Sequence, residues 1–332
     1  MNFHPRLTVL FLFLFLCACV HSTMGNAQGV IVDTSNWKTH AAGRFLVALP
    51  PDAQVEFTAQ IWKTDLEWRK DLTQEGAQAE IQKKIAQYKA IQHKTIEGTQ
   101  FIDTFPLAGG GGVIQRWNHP YSTAVSIMEC YFVSQDNKKR VYYYAYEVGK
   151  SSFAAGRKDV EEMAKTFYAR DDWDPLPTEP GYAFPGGFSK HSGEWRAERA
   201  ILAFNSPSYP GIAGYFACYS FGKKQGKMFD QEDFNERLAA IASKITILQK
   251  GDCVVNGYEA QELCAASTEN GRRMYNFDME IPCQGKELAG PQLILHLFSK
   301  RGEQGNGFTS DKEAIAVWNA IRDSIRLRPG AV

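Results

Sequence analysis

Residues 171–181, Asp-Asp-Trp-Asp-Pro-Leu-Pro-Thr-Glu-Pro-Gly, place three prolines and four acids in eleven positions. Each proline fixes φ and removes a backbone donor, so the stretch continues neither a helix nor a central strand. On either side of it the chain shows one order of elements: strands, a helix, several strands, a helix. That order predicts an α+β fold of two lobes, each an antiparallel sheet with two helices packed on one face. The expected division is a leader at 1–27, an N-terminal domain at 28–172, a Pro-rich linker at 173–181 and a C-terminal domain at 182–332. A chain of 332 residues suits two domains, each with its own core.

In the first segment, Arg44–Pro50 and Gln54–Trp62 read as strands broken by Pro50-Pro51-Asp52. Ala77, Ile81, Ile85 and Tyr88 recur at helical spacing and predict a helix over 74–92. Strands follow over Lys94–Phe105, Val113–Val133 (broken near His119-Pro120) and Arg140–Val148, then a helix carrying Val160, Met163, Ala164 and Phe167. In the second segment, Glu194–Phe204 and Gly214–Phe221 are strands. Phe234, Leu238, Ile241 and Ile245 form the stripe of a helix capped by Asp230. Cys253–Tyr258, Glu259–Ala266, Arg273–Ile281 and Gln292–Ser299 are strands, with Asn270-Gly271 a hairpin turn. Ser310-Asp-Lys-Glu313 is a capping box that opens a last helix on Ile315, Trp318, Ile321 and Ile325.

The first residues bear on location. Arg6 precedes the apolar run Leu7–Leu16, which is too short to span a bilayer as a mature helix and reads as a secretory signal peptide. Its end, Leu16-Cys17-Ala18-Cys19, is close to the box after which bacterial lipoproteins are cut, which makes Cys19 a lipidation site. The competing cut after Gly25-Asn26-Ala27 releases a soluble protein. The expected place is the periplasm, with membrane contact through an N-terminal lipid only. Lys plus Arg and Asp plus Glu both number 37, so there is no basic excess to recruit nucleic acid or an anionic membrane.

Catalytic constellations are missing from the sequence. It has no Gly-x-Ser-x-Gly elbow, no His-Glu-x-x-His helix and no Gly-x-Gly-x-x-Gly turn. The histidines are scattered singly, so no metal site and no cofactor are expected. Gly109–Gly112 reads as a flexible loop rather than an anion cradle. With Cys19 lipidated, Cys130, Cys218, Cys253, Cys264 and Cys283 remain, an odd number. A hairpin centred between Tyr258 and Glu259 sets Cys253 opposite Cys264, within bridging range, and predicts a disulfide between them.

Two segments carry a family resemblance. Gly43-Arg-Phe-Leu-Val-Ala-Leu-Pro-Pro-Asp-Ala-Gln-Val55 resembles the opening, and Trp318-Asn-Ala-Ile-Arg-Asp-Ser-Ile-Arg-Leu-Arg-Pro-Gly330 the close, of the two-domain immunity proteins that protect bacteria from type VI secretion lipase effectors. Members of that family carry cysteines where this chain has Ala41-Ala42 and the Cys-free Gly181–Trp195, so a bridge there is not transferred. The resemblance implies a non-enzymatic inhibitor that grips a phospholipase effector between two lobes. The alternative is an envelope lipoprotein that binds a lipid or other small ligand between its domains. An inhibitor needs rigid aromatic anchors on projecting loops. The candidates for partner binding are Trp117 and Tyr121 around His119-Pro120, Tyr209 within Pro207–Pro210, and Phe308 after Gly302–Gly307. Trp173, Tyr182 and Phe184, in a cleft flanking the linker, complete the set.

Overall fold

The computed structural model describes residues 30–172, 174–191, 195–302 and 307–332. The leader, with Cys19, and Trp173 lie outside these residues.

The chain begins with a hairpin of β1 (Lys38–Ala42) and β2 (Phe45–Leu49), followed by β3 (Gln54–Ile61), β4 (Thr64–Asp65) and β5 (Glu67–Trp68). Helix α1 (Gln74–Ala90) starts where the Thr73 hydroxyl accepts from the Gly76 N–H, satisfying one of the free donors of the first turn. Then β6 (Phe101–Pro106), β7 (Gly112–His119), β8 (Ser122–Val133) and β9 (Val141–Gly149) run antiparallel. With β5 they form a five-stranded sheet in the order β5-β9-β8-β7-β6. Because side chains alternate along a strand, Ile114, Tyr131 and Val133 face α1 with Ala77, Ile81 and Ile85. Val113, Met128, Cys130 and Phe132 belong to the main core with Val160 and Met163 of α2 (Phe153–Ala164). The two helices therefore cover opposite faces of this sheet, not one shared face. Glu129, buried on the α1 side, accepts from Lys84 at 2.8 Å, Arg116 at 2.6 Å and Tyr88 at 2.7 Å, and this polar clamp ties α1 down beside its apolar stripe.

Phe167 does not close the second helix. It opens β10 (Phe167–Ala169), which pairs with a hairpin of β11 (Gly181–Phe184) and β12 (Gly187–Lys190). The remaining elements are β13 (Glu198–Asn205), β14 (Ile212–Tyr219), α3 (Glu232–Ile241), β15 (Thr246–Val255), β16 (Tyr258–Glu269), β17 (Arg272–Ile281), β18 (Gln292–Ser299), α4 (Asp311–Ser324) and β19 (Arg326–Leu327). Eight strands form one sheet in the order β15-β16-β17-β18-β14-β13-β3-β4. Ser310 caps α4 by accepting from the Glu313 N–H, as the capping box predicts. The N-cap of α3 is Gln231, while Asp230 closes a short 3-10 turn before it, so the predicted Asp230 cap is displaced. Helix α4 docks through Trp318, whose ring meets Phe277 edge-on and whose Nε1 donates to Glu262 at 3.0 Å.

The linker does not separate two sets of strands. First-segment β3 pairs with β13 from Gln54↔Asn205 to Ile61↔Glu198, and β2 takes β19 from the other end of the chain. One continuous buried cluster runs from Val47, Ile61 and Met128 through Phe167 to Phe277 and Trp318, so the lobes share a core. Main-chain pairing thus crosses the expected boundary at 173–181. One lobe is built on the five-stranded sheet of 67–149 and the other on strands from both segments.

The predicted disulfide is also corrected. The turn after β15 is Asn256-Gly257, with φ of +46° and +89°, the left-handed pair that a two-residue hairpin turn requires. That turn puts Val255 opposite Tyr258, Cys253 opposite Ala260 and Cys264 opposite Gln249. Cys253 and Cys264 are both free, as are Cys130, Cys218 and Cys283.

Candidate functional site

The sequence-predicted contact residues separate into exposed and buried ones. Tyr121, at the tip of the β7–β8 hairpin, is 61% exposed and lies against His119 at 5.4 Å. Tyr209 is half-buried and packs on Phe308 at 5.1 Å, while Phe308 itself is buried against Tyr275. Trp117 is buried between His93 and Phe153. Tyr182 and Phe184 are buried in the core, where Tyr182 reaches the Gln60 carbonyl from below β3 and Phe184 packs on Tyr142 and Phe167. The expected exposure of Trp117, Phe308, Tyr182 and Phe184 is thus corrected: each has a ring or a backbone carbonyl as partner, and folding inward removes its apolar ring from water.

A cleft does flank the linker. About 680 Å³ in volume, it lies between one face of β3 (Val55, Phe57, Ala59), Trp68 of β5 and the chain at 170–172 and 185–186. Five acids line it, Glu56, Asp65, Glu67, Asp171 and Asp172, against Lys70, Arg170 and His40. Its floor is made rigid by Gly186. At a φ of +67°, Gly186 accepts at its carbonyl from Arg140 Nη1 and the Tyr142 hydroxyl, both at 2.8 Å, and a Cβ there would strike the Trp68 ring at 2.2 Å. Arg140 stacks on Trp68 at 4.4 Å and pairs with Asp171, which Lys138 also holds at 2.8 Å. His40 Nε2 and Arg170 Nε are buried without a hydrogen-bond partner. Burial, reinforced by Lys38, pushes the His40 imidazole below its usual pKa, so it is neutral at pH 7.

The linker itself is pinned. The Arg328 guanidinium donates to the carbonyls of Pro177, Glu179 (2.8 Å) and Gly181 (2.9 Å), and Lys190 pairs with Glu179 at 3.0 Å. Beside it, Arg44 forms a two-pronged pair with Glu198, Nε to Oε2 and Nη2 to Oε1 both at 2.9 Å, with both side chains buried. Arg196 holds the same carboxylate at 2.7 Å. Burial pushes Glu198 upward, but Arg196 and Arg44 outweigh it and keep the carboxyl below its usual range. The two segments that carry the family resemblance meet here: β2 pairs with β19, and the Arg328 N–H donates to the Arg44 carbonyl at 2.9 Å. Gly43-Arg44 and Arg326-Leu-Arg328 are one seam.

No group of His, Cys, Asp or Glu among the described residues is arranged to hold a metal ion. No helix among them is long and apolar enough to cross a membrane. What the cleft offers is rigid, charged surface of one predominant sign, suited to docking a complementary surface.

Comparison with known proteins fits this architecture. Residues 175–330 match the family described as Tle cognate immunity protein 4 C-terminal domain. Over 90% of its length the chain shares its fold with the apo immunity protein TplEi of the type VI secretion system from Pseudomonas aeruginosa, at 23% identity, 99% coverage of that chain and a TM-score of 0.83. The crystal structure of the Tle4–Tli4 complex matches over 90% of this chain and 99% of that one, at 23% identity and a TM-score of 0.82. TplEi from Pseudomonas aeruginosa in complex with the "L" peptide matches over 90% and 100%, at 22% identity and 0.77. No curated protein sequence matches the chain. The match of residues 175–330 and the likeness to these solved structures show that the chain shares their fold and that its second half is similar to the C-terminal domain of that immunity family.

Proposed function

We propose that this protein binds a cognate type VI secretion phospholipase effector, holds it between its two lobes and inhibits it without turning over any substrate. The match of residues 175–330 to the immunity family carries the reading. The cleft beside the linker supports it, because five acids rim the apolar face of β3 and Trp68, a mixed charged and apolar surface of the kind that docks another protein. Exposed Tyr121 and half-buried Tyr209 are the contact residues retained from the sequence. The purified mature chain is expected to bind the phospholipase encoded beside its gene with a Kd of about 1 nM, near −12 kcal/mol, and to protect cells from that enzyme directed to the periplasm. Absence of both binding and protection would sink the reading.

In the same reading the leader of residues 1–27 delivers the chain to the periplasm and Cys19 carries a lipid. Cys19→Ser is then expected to abolish labelling with palmitate and to move the protein from the membrane fraction to the soluble periplasm. Unchanged fractionation would assign the cut to Gly25-Asn26-Ala27 instead.

A further inference from the structure

The turn between β3 and β4 is made of the wrong residues for its shape. Trp62 and Lys63 sit at φ of +52° and +66°, where a two-residue hairpin turn selects Asn-Gly. A bulky side chain in the left-handed region costs free energy, and such strain gathers where a function requires the side chain. Here the strain holds an indole outward: Trp62 is 46% exposed and meets Trp195 edge-on, with centroids 5.9 Å apart. The Trp62 N–H donates to the Ala197 carbonyl at 2.8 Å, which fixes the turn to the start of β13.

The aromatic surface continues across the neighbouring strand ends. Phe221, 49% exposed, stacks on Tyr219 with rings 5.5 Å apart and 6° from parallel. Gly222 brings that loop against the Trp195 ring, where a Cβ would lie 2.9 Å away. Arg199 lies over Tyr219 at 5.1 Å and Lys286 over Trp195 at 5.4 Å. Arg199, Lys286 and the flanking Lys63 form no ion pair with a carboxylate among the described residues, and the buried Nε1 of Trp195 lacks a hydrogen-bond partner. Trp, Tyr and Arg are the residues that dominate measured binding hot spots. Uncompensated cations interleaved with them favour an acidic partner.

Resting on the effector reading above, we propose that this patch, formed by Trp62, Trp195, Tyr219 and Phe221 with Arg199 and Lys286, is a docking surface for the effector. Its occupant is an acidic protein loop that inserts an apolar side chain between Trp62 and Phe221. The strained turn provides a sharp test. Trp62→Asn with Lys63→Gly installs the residues the turn prefers, so the double variant is expected to keep or raise the thermal midpoint while losing at least tenfold in affinity for the neighbouring phospholipase. Phe221→Ala is expected to lose a similar factor, and Lys286→Glu to slow association most at low salt. Wild-type affinity in both the double variant and Phe221→Ala overturns the proposal. So does an unchanged effector affinity accompanied by lost binding to vesicles of phosphatidylglycerol, which would make the patch a membrane surface. A wild-type chain that binds no effector overturns the immunity reading itself, and this surface with it.

Discussion

Cut at the linker, the chain is expected to give two fragments that do not fold: neither 28–172 nor 180–332 should show dispersed amide spectra or cooperative unfolding. The reason is main-chain pairing. Removing residues before 172 strips β3 from β13 along its whole length and exposes the inner edge of the eight-stranded sheet. It also takes away β2, so β19 has no partner, and leaves buried Glu198 without Arg44. The other fragment keeps β3 with its partner strand absent and loses the half of the shared core that includes Phe277, Trp318 and Leu295. A fragment 180–332 that unfolds cooperatively and stays monomeric would show that the second half has a sufficient core of its own.

The second large effect is expected at one side chain. Arg44→Met should destabilise the protein by about 3 kcal/mol, read from urea unfolding, because the buried Glu198 carboxylate loses both charge-assisted hydrogen bonds from Arg44 and only Arg196 is left to hold it. Arg44 also donates to the carbonyl of Ala331, so the variant loses its hold on the C-terminal residues as well. The pH dependence has a definite sign. In the wild type the Glu198 carboxyl is held below its usual range, so the stability it contributes is present above that range and is lost as pH falls through the lowered value. In the variant, with Arg196 alone beside it, the carboxyl moves up and takes a proton at higher pH, which removes a buried charge that has lost half its partners. The gap between variant and wild type should therefore narrow on acidification. As a control, Arg157→Ala breaks exposed pairs with Glu161 and Asp103 and the contact of its guanidinium over the Phe105 ring at 4.2 Å, and should change stability by only about 1 kcal/mol.

Local signals were legible in the sequence where one residue determines the outcome. The capping box at Ser310, the helix over 74–92 with its Ala77-Ile81-Ile85 stripe and the break between β7 and β8 near Pro120 all follow from short-range rules. Long-range pairing was not legible. Nothing near Gln54–Ile61 announces a partner at Glu198–Asn205, and a duplicated order of elements makes the linker look like a boundary. The hairpin of β11 and β12 escaped because eight residues after a proline-rich stretch carry no clear period. In the site, Gly302–Gly307 and Pro207–Pro210 marked Phe308 and Tyr209 as loop aromatics, yet the two rings pack on each other. Trp62 passed as the end of a strand, since a left-handed φ leaves no trace in residue type when the favoured Asn-Gly is absent.

The seam between β2 and β19 also governs when the fold can be completed. Residues 326–331 supply the third strand of the β1-β2-β19 sheet, the carbonyl that Arg44 grips and the guanidinium that fastens the linker. Contacts so distant in sequence form late, because closing the intervening loop costs entropy before any contact rewards it. A chain that lacks residues 326–331 accordingly stays open, so β1, β2 and the linker are secured only once that distant segment has joined them.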